Sequence, residues 1–403
     1  MTDRLTIGFV PLVDAALPIL SHVLGYAEEE GLALDFVKDA SWATVLDRLL
    51  YGHTDAAHLI APLAVATALG RGRPARMMAA PFVLGLNGNA ITISTALAAR
   101  LDLGPGLVDP TDAGRQLKAE IARRGPDRKL RFAVVHRHSS HNNMLRYWLA
   151  RCGIAPGRDI DIVTIAPPFA ADALASGEVD GICVGEPWNS IAVENGAGRV
   201  LIATAQIWRR GVEKVLALPA DTLQNKRAAI EKLIRAMIRA GAHFIDPANR
   251  ESVAAILAEP QWIGGSAEII GRAIADEIRI IPGGPLQLYP DFMFQHRDAA
   301  NFPWISQAMW LYTQLARWED MPLSDADAAI ASAVFRPDIY RQALTGTGAP
   351  LPGASSKVEG SLANALPVGA AQGAMTLGAD QFFDGLAFDP DDLAGYMRLL
   401  PKA

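Results

Sequence analysis

From Leu5 onward the chain alternates short apolar runs with helix-period segments, and the joints between them are only a few residues long. Leu5–Val10 reads as a strand, residues 14–31 as a helix closed by acidic residues and Gly31, and residues 32–40 as a second strand. Strands joined through a helix are set parallel most simply. Ser41 then stands as an N-cap, Gly52 as the stop of the helix that follows, and a strand near Ala56–Leu59 leads into a further helix. This repetition commits the chain to an α/β fold, with sheets flanked by helices.

At 403 residues with 50% hydrophobic content the chain exceeds one ordinary domain and suffices for two lobes. Residues 76–93 are strand-like but broken by Asn87-Gly88, which marks a crossing from one lobe to the other. A return crossing falls near residue 204. The expected division is 1–88 plus 205–345 as a discontinuous first lobe and 89–204 as a second lobe. Each is expected to hold a mostly parallel sheet, with ligand in the cleft between them. Residues 346–403, rich in Gly, Ala and Pro, read as a linker and C-terminal tail. The aromatic string from Tyr289 to Trp318 reads as core packing.

A formal net charge of -6 argues against a surface built to grip nucleic acid directly. Cys152 and Cys183 sit in apolar settings without metal-ligand spacing and read as small hydrophobes, not a disulfide. No apolar run approaches the roughly 20 residues of a membrane helix, and no membrane role is expected. Met1 runs almost directly into the first strand with no leader pattern, so a cytoplasmic location is the expectation. No phosphate-binding glycine loop, nucleophile elbow or metalloprotease motif occurs. No cofactor and no enzymatic activity are therefore expected.

Polar chemistry gathers at two places. In Cys183–Asn189 a short apolar strand ends at Gly185-Glu186-Pro187, turns sharply and continues from Trp188 as a helix, which points to the mouth of a sheet. Glu186 reads there as an acceptor for backbone N–H groups, with a general acid/base role as the competing reading. Residues 136–143, His-Arg-His-Ser-Ser-His-Asn-Asn, lie between a strand and a helix. Backbone N–H groups and the positive end of the helix make that position an anion site, with Ser139 or Ser140 as N-cap. Three histidines without a neighbouring Cys, Asp or Glu do not make a metal site. His136 and His138 taken singly read as loop residues.

The segments "LTIGFVPLVDAALPIL", "DASWATVLDRLLYG", "LGLNGNAIT", "RYWLARCGI", "ICVGEPWNS" and "EKVLAL" occur in the order and spacing of a known group. The chain resembles the nitrate-binding proteins of ABC transporters, relatives of the bicarbonate-binding proteins, over residues ~1–320. The resemblance implies a two-lobed, type II periplasmic-binding-protein-like fold. It implies ligand contacts at Trp42, Asn89, His141 and Lys214, with Gly185, Glu186, Pro187 and Trp188 shaping the cleft; His136 and Ser140, from the polar run at the helix start, complete the expected ligand-binding set. Asn89 stands where transport relatives have Gln, and Ser139 and Ser140 replace glycines of the family pattern. An acidic residue is expected in the bicarbonate relatives in place of Lys214, so Lys214 points to nitrate or nitrite. A member without a leader resembles the cytoplasmic nitrate/nitrite sensor, whose implied partner is an RNA-binding transcription antitermination regulator that it releases on binding ligand. The alternative reading is the solute-binding component of an ABC-type nitrate or bicarbonate transporter.

Overall fold

A computed structural model describes residues 2–401. Two sheets organise it. The first runs, edge to edge, as the short strand Met293–Phe294, then β4 (Met78–Asn87), β10 (Val212–Pro219), β3 (Ala56–Ile60), β1 (Asp3–Phe9) and β2 (Leu32–Lys38). The second runs β7 (Ile160–Thr164), β6 (Leu130–Val134), β8 (Gly181–Gly185), β5 (Asn89–Ser94) and β9 (Gly198–Ala203). Helices flank both, so the architecture is two-lobed α/β.

In each sheet most strands share one direction, as expected, but neither sheet is purely parallel. β1 pairs parallel with β2 and β3, and β6 pairs parallel with β7 and β8. The strands nearest the crossings run the other way: β10 is antiparallel to β3 and β4, and β5 is antiparallel to β8 and β9. The cause is connectivity. β4 leaves the first sheet and becomes β5 of the second across a single residue, and β9 returns to β10 through a short helix (Thr204–Ile207). Strands joined in this way enter each sheet against the direction of the β-α-β units already there.

The outward crossing turns at Asn87 and Gly88, whose φ values of 56° and 79° lie in the left-handed region that Asn and Gly tolerate best. Asn87 Nδ2 donates to Arg209 O at 2.8 Å, so the two crossings are tied to one another. The lobes also touch across the cleft. Val13 N donates to Glu186 O at 3.0 Å, and Trp188 Nε1 donates to Pro11 O at 3.2 Å.

Local signals explain the elements that carry side chains into the cleft. Ser41 accepts from Thr44 N at 3.2 Å and starts the helix Trp42–Leu50, and Gly52, with φ of 74°, ends the turn after it. Ser139 accepts from Asn142 N at 3.0 Å and starts the helix Ser140–Arg151. Of the aromatic string, Phe292, Phe294, Phe302, Trp304, Trp310 and Tyr312 are buried. Cys152 and Cys183 are both free thiols, Cys152 half-buried.

The segment read as a linker is packed against the body. Leu351–Pro352 and Ala370–Gln372 form one small antiparallel ladder, and Leu366–Val368 pairs with Met375–Leu377 in another. Phe382 then stacks on Trp208 at 4.8 Å between ring centroids, and the helix Leu393–Leu399 sets the Tyr396 hydroxyl under Trp310 Nε1 at 3.0 Å. Tyr147 and Arg151, on the Ser140 helix, both reach Asp384, at 2.8 and 2.6 Å.

Candidate functional site

Lys214 is the centre of the cleft and is fully buried. Its strand carries a bulge: Val212 faces Leu86 while Lys214 faces Gly85, so two steps on β10 match one on β4. An unbroken strand would turn Glu213 and Lys214 to opposite faces. With the extra residue, Glu213 reaches the same pocket, and its Oε1 lies 2.5 Å from Lys214 Nζ. On its other side Lys214 Nζ lies 2.8 Å from Asp14 Oδ2. Asp14 belongs to the single helical turn Val13–Ala15 that follows β1, and its Oδ1 is 2.7 Å from His58 Nε2 on β3.

Electrostatics lock this core. Burial works to raise the Asp14 carboxyl, but Lys214 and His58 outweigh it and hold it well below the usual carboxylate range. Burial works to lower the Lys214 ammonium, and Asp14 and Glu213 overcome that, so it titrates above an ordinary lysine. His58 is lowered by burial in spite of Asp14. Burial drives the His141 imidazole down to about 4, against the pull of Glu213 and with the help of Lys214.

Around the core stand polar atoms that are buried and have no hydrogen-bond partner. Trp42, first residue of its helix, has an unpartnered Nε1, and the centroid of its ring is 5.4 Å from Lys214 Nζ. Asn89, first residue of β5, has neither Nδ2 nor Oδ1 engaged. It approaches the core across Gly185: a Cβ on that glycine would stand 3.0 Å from Asn89 Oδ1 and 2.9 Å from Leu12 Cδ2. Ser140 Oγ and both ring nitrogens of His141 are likewise unpartnered, at the first turn of a helix whose free N–H groups favour negative charge. His141 Nδ1 lies 3.4 Å from Glu213 Oε1, outside hydrogen-bond geometry. Each such buried, unpaired group costs about 1–3 kcal/mol when left empty-handed. Such atoms on both sides of one cleft, beside a buried charged core, suit a small polar ligand.

The structure therefore brings Trp42, Asn89, Ser140, His141 and Lys214 to the cleft. His136 is set apart: its Nδ1 accepts from His138 N at 3.0 Å, closing its own loop, and its charged neighbours are His138, Arg73 and Arg137. Burial lowers it to about 4. Gly185, Glu186, Pro187 and Trp188 form one wall. The Glu186 carboxylate accepts from Ser190 N at 3.3 Å, and burial raises it to about 7 although that bond opposes the rise. It serves the first turn of the helix Trp188–Glu194.

Four residues of the site were not singled out by the sequence. Asp14, His58 and Glu213 complete the charged core, and Gln295 packs over Gly85 with both amide atoms buried and unpartnered. Gly85 lies against both groups: a Cβ there would stand 3.4 Å from Gln295 Nε2 and 3.8 Å from the Asp14 Cβ, in ordinary contact with each. An aspartate inside the apolar run Val10–Leu20 was a signal open to reading. Glu213 was not, because alternation assigns it to the opposite face.

Two mixed sheets, two crossings and a buried polar cluster between them define a two-lobed fold of the periplasmic-binding-protein class. Within that class the chain belongs to the NMT1-like family, which it matches over residues 2–258. It is 31% identical over 398 residues to the nitrate import ATP-binding protein NrtC of Synechocystis sp., covering 98% of this chain and 55% of that protein. The chain thus spans about half the length of that relative. It is 29% identical to the nitrate/nitrite binding protein NrtA of Synechococcus elongatus, covering 97% of this chain and 85% of that one. The crystal structure of the periplasmic nitrate-binding protein NrtA from Synechocystis PCC 6803 superimposes with a TM-score of 0.85 at 25% identity, over 99% of this chain and 98% of that one.

Proposed function

We propose that the chain binds nitrate or nitrite in the interlobe cleft and does not act on it chemically. One observation carries the reading: Trp42 Nε1 and the His141 ring, from the two lobes, stand buried and unpartnered beside the Lys214–Glu213 pair, with the unpartnered Asn89 amide and Ser140 hydroxyl on the second lobe's side of the cleft. A planar oxyanion accepts in its plane from several N–H and O–H groups at once, and the indole and amide keep water away. The names of the relatives, which concern nitrate binding and import, support the same ligand.

Closure of the two lobes on ligand turns binding into a change of outer surface. For the receiver of that change we keep the two readings drawn from the sequence. In the first the chain is a cytoplasmic sensor whose ligand-free form holds an RNA-binding antitermination regulator and whose bound form releases it. In the second it is the solute-binding part of an ABC-type transporter, which the relatives' names favour.

Isothermal titration with nitrate, nitrite and bicarbonate tests the ligand. Saturable heat with nitrate or nitrite is the expected result, and its absence with both sinks the proposal. The receiver is tested by retention of a purified antitermination regulator on immobilised protein. Retention that nitrate abolishes supports the sensor; no retention in either state removes it.

A further inference from the structure

The charges around Lys214 do not balance. Two carboxylates, Asp14 and Glu213, face one ammonium, which leaves minus one in a buried pocket when the histidines are neutral. A monoanion brought into the same place makes minus two, and like charges in a low-dielectric site repel strongly. Lys214 alone cannot be the counter-ion of the ligand, since it is already shared by two carboxylates.

Resting on the oxyanion reading above, we propose that Glu213 determines specificity by making the cleft accept its oxyanion together with one proton, held between Glu213 Oε1 and His141 Nδ1. The bulge in β10 is what brings these two atoms to 3.4 Å. The proton comes from solvent when the anion carries none, as with nitrate, and no bond of the anion is made or broken. A hydrogencarbonate ion carries its own and donates it to the Glu213 carboxylate as a hydrogen bond.

The other groups facing this pair are fixed. Asp14, from the turn after β1, is held ionised by Lys214 and His58. His58, from β3, is committed to Asp14 at 2.7 Å. Lys214, beside Glu213 on β10, is held charged by both carboxylates, and Cys183, from β8, is kept a thiol by burial. That leaves His141, from the Ser140 helix, as the group whose protonation responds. It is neutral near pH 7 without ligand because of burial. Only with the Glu213 carboxylate at Nδ1 and an anion on its other side together is the imidazolium stabilised enough to titrate higher. By linkage, the anion then binds more tightly as pH falls.

The test is titration calorimetry of the whole chain with sodium nitrate in Bis-Tris and in Tris, buffers of different protonation heat, across about pH 6 to 8.5. The expected result is uptake of one proton per nitrate and about tenfold weaker binding per unit rise in pH. Bicarbonate, titrated at the alkaline end where it stays hydrogencarbonate, is expected to bind with no uptake from buffer. Glu213→Gln should remove the pH dependence and tighten nitrate binding at the alkaline end, while His141→Asn removes proton uptake. Nitrate binding with no proton uptake and a constant affinity overturns the coupling and leaves the oxyanion reading standing. Uptake that survives Glu213→Gln overturns the assignment to Glu213. No heat with either anion at any pH overturns both. Proton uptake by the parent protein needs no variant, so a Glu213→Gln chain that misfolds does not rescue the proposal.

Discussion

Two charged clusters line the cleft, one at its bottom within the first lobe and one at its rim between the lobes. At the bottom, Lys214 lies between Asp14 and Glu213. At the rim the signs are reversed: one carboxylate, Glu319, receives Arg71 at 2.8 Å from the first lobe and Arg137 at 2.7 Å and His138 at 2.6 Å from the second. With neutral histidines the inner cluster sums to minus one and the rim cluster to plus one. The same chemistry thus performs opposite tasks. On the proposed reading the rim would draw an anion inward and latch the lobes, while the interior would resist a bare anion and set the terms on which it is accepted.

The sharpest way to break this contrast is Lys214→Met. It strips the inner cluster of its cation and leaves two buried carboxylates facing one another. We expect a loss of about 3–5 kcal/mol in chemical denaturation. Nitrate titration should show no binding. A variant as stable as the parent would mean that the inner cluster is solvated and no different in kind from the rim.

Glu319→Gln addresses the rim. Arg71 and Arg137 then face each other across the lobes without a counter-ion, so the ligand-free chain opens, and small-angle scattering should show a larger radius of gyration. Nitrate affinity is expected to fall roughly tenfold. The difference should shrink with added salt, because half-exposed charges are screened and buried ones are not. The pH response has a definite sign. His138 and Arg71 overcome burial and hold the Glu319 carboxyl down at about 2, below the ordinary 4.5. A depressed carboxylate contributes in full above its unfolded value and is lost as pH falls through its folded one. The latch should therefore hold at neutral pH and fail between about 4.5 and about 2, a limb that Glu319→Gln abolishes.

The smallest expected effect is that of Gly185→Ala. Its Cβ meets Leu12 and the Asn89 amide, so Asn89 is displaced from the inner cluster with a stability cost of about 1 kcal/mol. Calorimetry should show nitrate affinity reduced a few-fold, with the rim's salt dependence unchanged.

Much of this arrangement was legible because local rules govern it. Ser41 and Ser139 cap their helices as short hydroxyl residues before apolar periods do, and Asn87-Gly88 supplies the positive φ of the crossing. The helix start at Ser140 was readable as an anion position from dipole and free N–H groups alone. What escaped was set by tertiary structure. Strand direction in the sheets follows from which lobe a strand returns to, which periodicity does not record. Glu213 reached the pocket through a bulge, a register event between β10 and β4. His136 and His141 have the same side chain five residues apart, yet one folds back on its loop and the other faces the cleft. Composition alone reads 345–380 as an extended linker, but the segment forms two short ladders and buries Leu351, Met375 and Leu377.

That tail has a mechanical consequence. Asp384 is fastened to the Ser140 helix of the second lobe, while Tyr396 and Pro401 are fastened to the helix Ile305–Trp318 through Trp310 and Arg317, the latter at 2.8 Å. The segment therefore works as a tendon across the joint. The Ser140 helix also holds the far end of the segment, Arg151 donating to Leu399 O at 3.3 Å, so the tail is bound to both lobes along its length. Any movement of one lobe against the other must carry or strain these contacts, far from the cleft itself.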